Sequence, residues 1–135
     1  MKKTISLLIV LTMILGTVLL YTGCSGSQTA ELNILNWGDY IDPELIERFE
    51  QETGIHVNYT TMTSNEEMII KLRSSDCVYD LCFPSDYILE KLIGEDLLAP
   101  LNYDNIPNAK NIGQRYYDIS DAFDPGNKYS VPYMW

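Results

Sequence analysis

Between Leu32 and Asn36 the chain reads Leu-Asn-Ile-Leu-Asn, the spacing of large aliphatics that predicts a short strand. Asp42-Pro43 then supplies a helix cap and a first-turn proline, and Leu45, Ile46 and Phe49 recur at the spacing of a helical apolar face. Gly54 is placed to end that helix. Ile55-His56-Val57-Asn58-Tyr59 alternates again and predicts a second strand. The unit then repeats. Ser64 with Glu67 three positions later fits a capping box, and Met68, Ile69 and Leu72 continue as a buried face. Asp80-Leu81-Cys82-Phe83-Pro84 is a third, proline-ended strand. Asp86 is placed to cap a helix running through Ile93, with Ile88, Leu89 and Leu92 inward. Leu97 to Leu101 is apolar and extended around Pro100, and Tyr129-Ser130-Val131-Pro132-Tyr133 predicts a late strand.

Strand–helix–strand–helix–strand with short links predicts an α/β fold, a parallel sheet covered by helices. Crossovers in such units are right-handed. Ligands in open sheets of this kind bind beyond the carboxyl ends of the strands, where the strand order reverses. With strand one in the middle, order 2-1-3, that point lies between strands one and three. Their ends carry Trp37-Gly38-Asp39-Tyr40 and Pro84-Ser85-Asp86-Tyr87.

The N-terminus has a different pattern. Lys2 and Lys3 precede an apolar run from Ile5 to Leu20, then Gly23-Cys24 and the polar stretch Ser25-Gly26-Ser27-Gln28-Thr29. A basic start, an apolar core and a small residue before the cut site describe a secretory signal. The Gly-Cys junction resembles a bacterial lipoprotein signal, which makes Cys24 the lipid-attachment residue; an uncleaved anchor is the alternative. The reading divides the chain into a signal peptide over 1–23, a flexible linker over 24–31 and a lobe over 32–135, held at the outer face of the cell membrane.

Charge changes the picture next. Of the 9 basic residues, Lys2 and Lys3 precede Cys24, so 7 remain against 19 acids, a formal charge of −12. A surface this acidic excludes nucleic acid as the expected partner, since phosphate contacts need Lys and Arg. It suits a cationic ligand, or serves only solubility. Cys77 and Cys82 are expected as buried or half-buried free thiols. With one histidine, His56, and no CxxC, no metal site and no cofactor are expected.

An organic cation asks for aromatic faces along its methylenes and carboxylates at its charged ends. Trp37, Tyr40 and Tyr87 offer rings, Asp39 and Asp86 offer carboxylates, and Ser85 offers a hydroxyl. Each also has a plainer use. Trp37 and Tyr40 suit packing of the strand–helix corner, Asp86 suits a helix cap, and Asp39 suits a solvated loop.

The set Leu35 to Pro43 (LNWGDYIDP), Phe49 to Val57 (FEQETGIHV), Ser64-Asn65-Glu66, Tyr79-Asp80-Leu81, Phe83-Pro84-Ser85 and Tyr129 to Tyr133 (YSVPY) resembles, in order, the periplasmic spermidine/putrescine-binding proteins. The resemblance implies one lobe of a two-lobed type II periplasmic-binding-protein fold that closes around a polyamine and delivers it to an ABC permease. It implies ligand contacts at Trp37, Asp39, Tyr40, Ser85 and Tyr87, with Gly38 standing where relatives often carry a hydroxyl. A monomer without enzymatic activity is expected. The chain ends at Trp135, after a segment that in the family leads toward the hinge. A truncated product lacking its second lobe, and binding weakly alone, is therefore expected. A receptor for another small cation, an enzyme and a non-functional remnant are the competing readings. Against an enzyme, there is no nucleophile elbow and no glycine-rich phosphate loop.

Overall fold

The computed structural model describes residues 29–134; the signal segment, Cys24 and Trp135 lie outside the described residues. Three strands, β1 (Glu31–Trp37), β2 (His56–Met62) and β3 (Leu81–Cys82), form one sheet in the order β2-β1-β3. Both pairings are parallel: Leu35 stands opposite Thr60 on one side and Cys82 on the other. The predicted order and direction hold. Ile34, Leu35 and Asn36 are buried in succession, as a central parallel strand covered on both faces requires. β3 is shorter than predicted, although Asp80 and Phe83 still donate to the Asn33 and Leu35 carbonyls. Pro84, with no N–H to give, ends the run.

The helices are α1 (Pro43–Thr53), α2 (Asn65–Leu72), α3 (Asp86–Gly94) and α4 (Gln114–Ser120), with short 3₁₀ turns at Tyr103–Asn105 and Pro107–Asn111. Their starts follow local chemistry. The Asp42 carboxylate accepts from Glu44 N–H, Pro43 opens the first turn, and Gly54 closes α1 at φ 71°. Ser64 Oγ accepts from Glu67 N–H, while the Glu67 carboxylate reaches back to Thr63 N–H, one residue before the expected partner. That N–H is what chiefly holds the Glu67 carboxyl below its ordinary range.

One crossover leaves β1 for β2 and the next returns across β1 to β3, so right-handed connections put α1 and α2 on opposite faces. The core lies on the α2 side. Leu35, Met62, Met68, Ile69, Leu72, Ile88 and Leu92 form one buried cluster, with Trp37, Tyr79, Leu97 and Leu98 packed against it. Ile34 and Val57 are buried outside that cluster, on the α1 side. There the prediction needs correcting. Leu45 and Phe49 are exposed, and no residue of α1 is buried.

Two further expectations are corrected. Tyr129 to Tyr133 forms no strand among the described residues. Its backbone is used elsewhere: the Asp124 carboxylate accepts from the N–H groups of Lys128, Tyr129 and Ser130, and Tyr103 Oη donates to the Ser130 carbonyl. Cys77 is exposed, since the loop after α2 runs outside the core, whereas Cys82 on β3 is half-buried. Both are free thiols. His56 opens β2 at the surface, its Nδ1 2.7 Å from a Glu50 carboxylate oxygen. Among the described residues no helix is long and apolar enough to cross a membrane.

Candidate functional site

The carboxyl ends of β1 and β3 lie side by side, and the predicted residues stand on the loops that leave them. One residue before the end of β1, Asn36 is fully buried and accepts the Trp37 N–H on its own Oδ1 at 2.7 Å. Trp37 is half-buried. One side of its indole packs on the core, and Nε1 donates to the Phe83 carbonyl at 2.9 Å. This bond ties the β1 loop to the β3 loop. Below it, Tyr59 Oη donates to the Trp37 carbonyl at 3.1 Å. Burial pushes the Tyr59 phenol up, with the Asn36 amide acting in the opposite direction.

Tyr40 is 38% exposed, and its ring stands 6.0 Å from that of Trp37, tilted by 36°. Two rings at this separation and tilt form an open aromatic corner, able to take a methylene chain or an ammonium against their faces. Asp39 is exposed between them in the turn and makes no hydrogen bond or ion pair among the described residues. Its carboxylate has solvent for company, as a ligand-facing acid or a merely solvated one both require.

Ser85 and Tyr87 form the second group. Asn65, the first residue of α2, donates through Nδ2 to Ser85 Oγ at 3.0 Å and to Tyr87 Oη at 2.7 Å. Its Oδ1 accepts the Ser85 N–H at 3.1 Å. The Tyr87 ring is 59% exposed. Asp86 does not cap α3 with its side chain. Ser85 occupies the cap position but its hydroxyl accepts from no helix N–H, and the Asp86 carboxylate accepts from the adjacent Tyr87 N–H at 2.7 Å. Ser85 Oγ is engaged by Asn65, and Asp86 stands already inside the first turn, where a carboxylate favours the helix dipole.

Four of the five predicted residues therefore fall into two clusters, Trp37 with Tyr40 and Ser85 with Tyr87, joined through the Trp37–Phe83 bond. Asp39 stands apart from both. Two participants escaped the sequence reading. Asn65 entered only within the helix-start signal and the family-like segment Ser64-Asn65-Glu66, with no role of its own. Tyr133 was assigned to a strand, yet its hydroxyl donates to the Tyr40 carbonyl and its ring meets Phe83 edge-on, centroids 5.0 Å apart. Phe83 thus receives Trp37 on its carbonyl and Tyr133 on its ring. Among the described residues no group of His, Cys, Asp and Glu is placed to hold a metal ion.

In open parallel α/β sheets ligands bind at the switch point of strand order, and here a polar-aromatic cluster stands at the one between β1 and β3. The chain belongs to the hypothetical lipoprotein family described as the MG045 family, whose model matches residues 1–124. Curated relatives include the putrescine-binding periplasmic protein SpuD of Pseudomonas aeruginosa, 38% identical over 77% of this chain and 28% of that protein. The spermidine/putrescine-binding periplasmic protein of Salmonella typhimurium is 39% identical over 81% of this chain and 31% of its own length. Among solved structures, the spermidine/putrescine ABC transporter substrate-binding protein PotD of Streptococcus pneumoniae matches with a TM-score of 0.74 at 49% identity. It is covered over 32% of its chain, and this chain over 78%. The TpPotD lipoprotein of Treponema pallidum matches with a TM-score of 0.73 at 35% identity, over 77% of this chain and 32% of its own. The chain thus spans about a third of the length of the relatives it matches.

Proposed function

We propose that this protein is a lipid-anchored, extracytoplasmic solute-binding component of an ABC importer, with a linear polyamine such as putrescine or spermidine as its ligand. The observation that carries the reading is the juxtaposition of the Trp37–Tyr40 corner and the Ser85–Tyr87 pair at the switch point of a parallel sheet, in a chain whose relatives are named for binding these amines. The rings take the methylene chain, Asp39 takes an ammonium end, and the acidic surface favours approach of a cation. The role is capture and delivery to a permease, not catalysis. Cys24 carries the lipid, and the protein works at the outer face of the membrane.

Calorimetric titration of putrescine and spermidine tests the ligand. It is run on this chain and on a hybrid in which residues 32–134 replace the matching segment of the Streptococcus pneumoniae protein. Diamine binding by the hybrid, with little response to amino acids or sugars, supports the reading. A hybrid that folds and binds no polyamine overturns it. Cys24→Ser tests the anchor: it should leave the protein unprocessed or free of the membrane, and unchanged processing and retention would remove the lipid from the proposal.

A further inference from the structure

Asn65 is 4% exposed, and three hydrogen bonds converge on its amide. The Ser85 N–H fixes which way round that amide sits, because only Oδ1 can accept it. Nδ2 therefore faces the two hydroxyl oxygens, and it has two hydrogens and nothing with which to accept. Ser85 Oγ and Tyr87 Oη must each receive a hydrogen from Asn65, and neither can point its own hydrogen back.

We infer that Asn65 is a positioning residue of the site, one that fixes where the Ser85 and Tyr87 hydroxyls stand and turns both O–H hydrogens away from itself. The functional half of this inference rests on the binding reading above. Its consequence concerns how a cation is held. A phenol oxygen has two in-plane directions; at Tyr87 one is filled by the Asn65 N–H and the other by its own hydrogen. An ammonium hydrogen finds no open lone pair there. The charged end is left to Asp39, the ring faces and the second lone pair of Ser85 Oγ, and Tyr87 Oη meets it through a water that accepts from the hydroxyl.

Two substitutions separate position from polarity. Asn65→Asp keeps the acceptor for the Ser85 N–H and suits the first turn of a helix. Its carboxylate draws both hydroxyl hydrogens inward, which opens an acceptor direction on Tyr87 Oη and a second one on Ser85 Oγ for an ammonium. Asn65→Leu fills the space and holds neither hydroxyl. With calorimetry on the full chain and on the hybrid, Asn65→Asp should tighten putrescine binding about three- to tenfold and Asn65→Leu should weaken it by a similar factor, one hydrogen bond's worth each way. Opposite signs are the signature. Equal losses in both variants with intact melts, or no change in either, overturn the inference. A wild type that binds no diamine defeats the binding reading instead, and a ligand-free measurement then decides the geometry. In NMR spectra of the full chain in detergent, the Asn65 side-chain amide protons should be resolved and slow to exchange, one with cross-peaks to the Tyr87 ring. Tyr87→Phe should release that proton and leave the other protected. Degenerate, fast-exchanging amide protons would show that the lock does not exist.

Discussion

Single residues near the sheet divide into those whose surroundings follow from their neighbours in sequence and those whose surroundings come from far away. Asp42, Gly54 and Ser64 belong to the first kind: each acts within one helical turn, and each was readable as a helix boundary. Asn65 and Asp86 belong to the second. Asp86 has the right type and place for a cap, yet Ser85 holds the cap position because Asn65, 20 residues earlier, fixes its backbone N–H and hydroxyl. The two cysteines show the same division. They share a residue type and stand five positions apart, but burial pushes the Cys82 thiol up to about 11, with Cys77 adding to the shift, while Cys77 stands in solvent. Cys82 is therefore a protonated, shielded thiol at neutral pH. Brief alkylation of the native protein at pH 8 should mark Cys77 and leave Cys82 unmarked until denaturant is added, as peptide mapping would reveal. Equal labelling of both would mean that β3 opens freely. Since the folded value lies above the ordinary 9.0, the contribution of Cys82 to stability is whole below pH 9.0 and falls as pH rises toward 11.

At the scale of elements, the alternation of strand and helix, the parallel pairing and the central place of β1 were all legible, because periodicity and caps are local and the crossover rule supplies the rest. The inner faces of α2 and α3 were legible too: Met68, Ile69, Leu72, Ile88, Leu89 and Leu92 are all buried. The segment after α4 was not. Its alternating Tyr129-Ser130-Val131 looks like a strand, but a buried carboxylate gathers its amides first. Asp124 is 1% exposed and takes three backbone N–H groups and the Ser130 hydroxyl. Nothing in the spacing of hydrophobic residues announces such a staple. Leu101 N–H closes on the Lys128 carbonyl at 2.7 Å, so the segment is held from both sides. Asp124→Ala strips four donors of their acceptor and should lower stability by about 2–4 kcal/mol. Asp124→Asn can place its amide oxygen where Oδ2 stands, facing the three donors of Tyr129 and Ser130, but loses the bond from Lys128 N–H, and should cost less than alanine, about 1–3 kcal/mol. Urea melts give the energies, and amide exchange at residues 128–130 should accelerate far more in the alanine variant. An alanine variant as stable as the wild type would mean that water replaces the carboxylate without loss.

At the scale of the molecule, what matters is that two loops from one end of the sheet are joined into a single wall. Trp37 reaches Phe83 through its indole N–H, and Tyr133, from the far end of the described chain, reaches both Tyr40 and Phe83. Sequence pattern placed Trp37 and Tyr40 at the switch point but left open whether they pack or bind, and the structure packs Trp37 against the core while leaving Tyr40 more exposed. Trp37 has one side on the core, so Trp37→Ala removes packing, the bond to Phe83 and the ring together. It should lower stability and weaken diamine binding at once, by loss of apolar burial at about 25 cal/mol per Å² and of any cation–π attraction. Tyr40 gives the cleaner test. Tyr40 is exposed, and its link to Tyr133 runs through its backbone carbonyl, which alanine keeps. In the hybrid, Tyr40→Ala should weaken putrescine and spermidine about three- to thirtyfold, the range of one cation–π contact, with the melting temperature nearly unchanged. Asp39→Asn should weaken both amines too, and less so as salt rises, since the carboxylate faces water. Spermidine, with one more charge, should lose more than putrescine if Asp39 holds an ammonium. Calorimetry of the three variants beside thermal melts separates the outcomes. Wild-type affinity in Tyr40→Ala would leave Trp37 and Tyr40 as packing of the strand–helix corner and move the binding surface away from this end of β1.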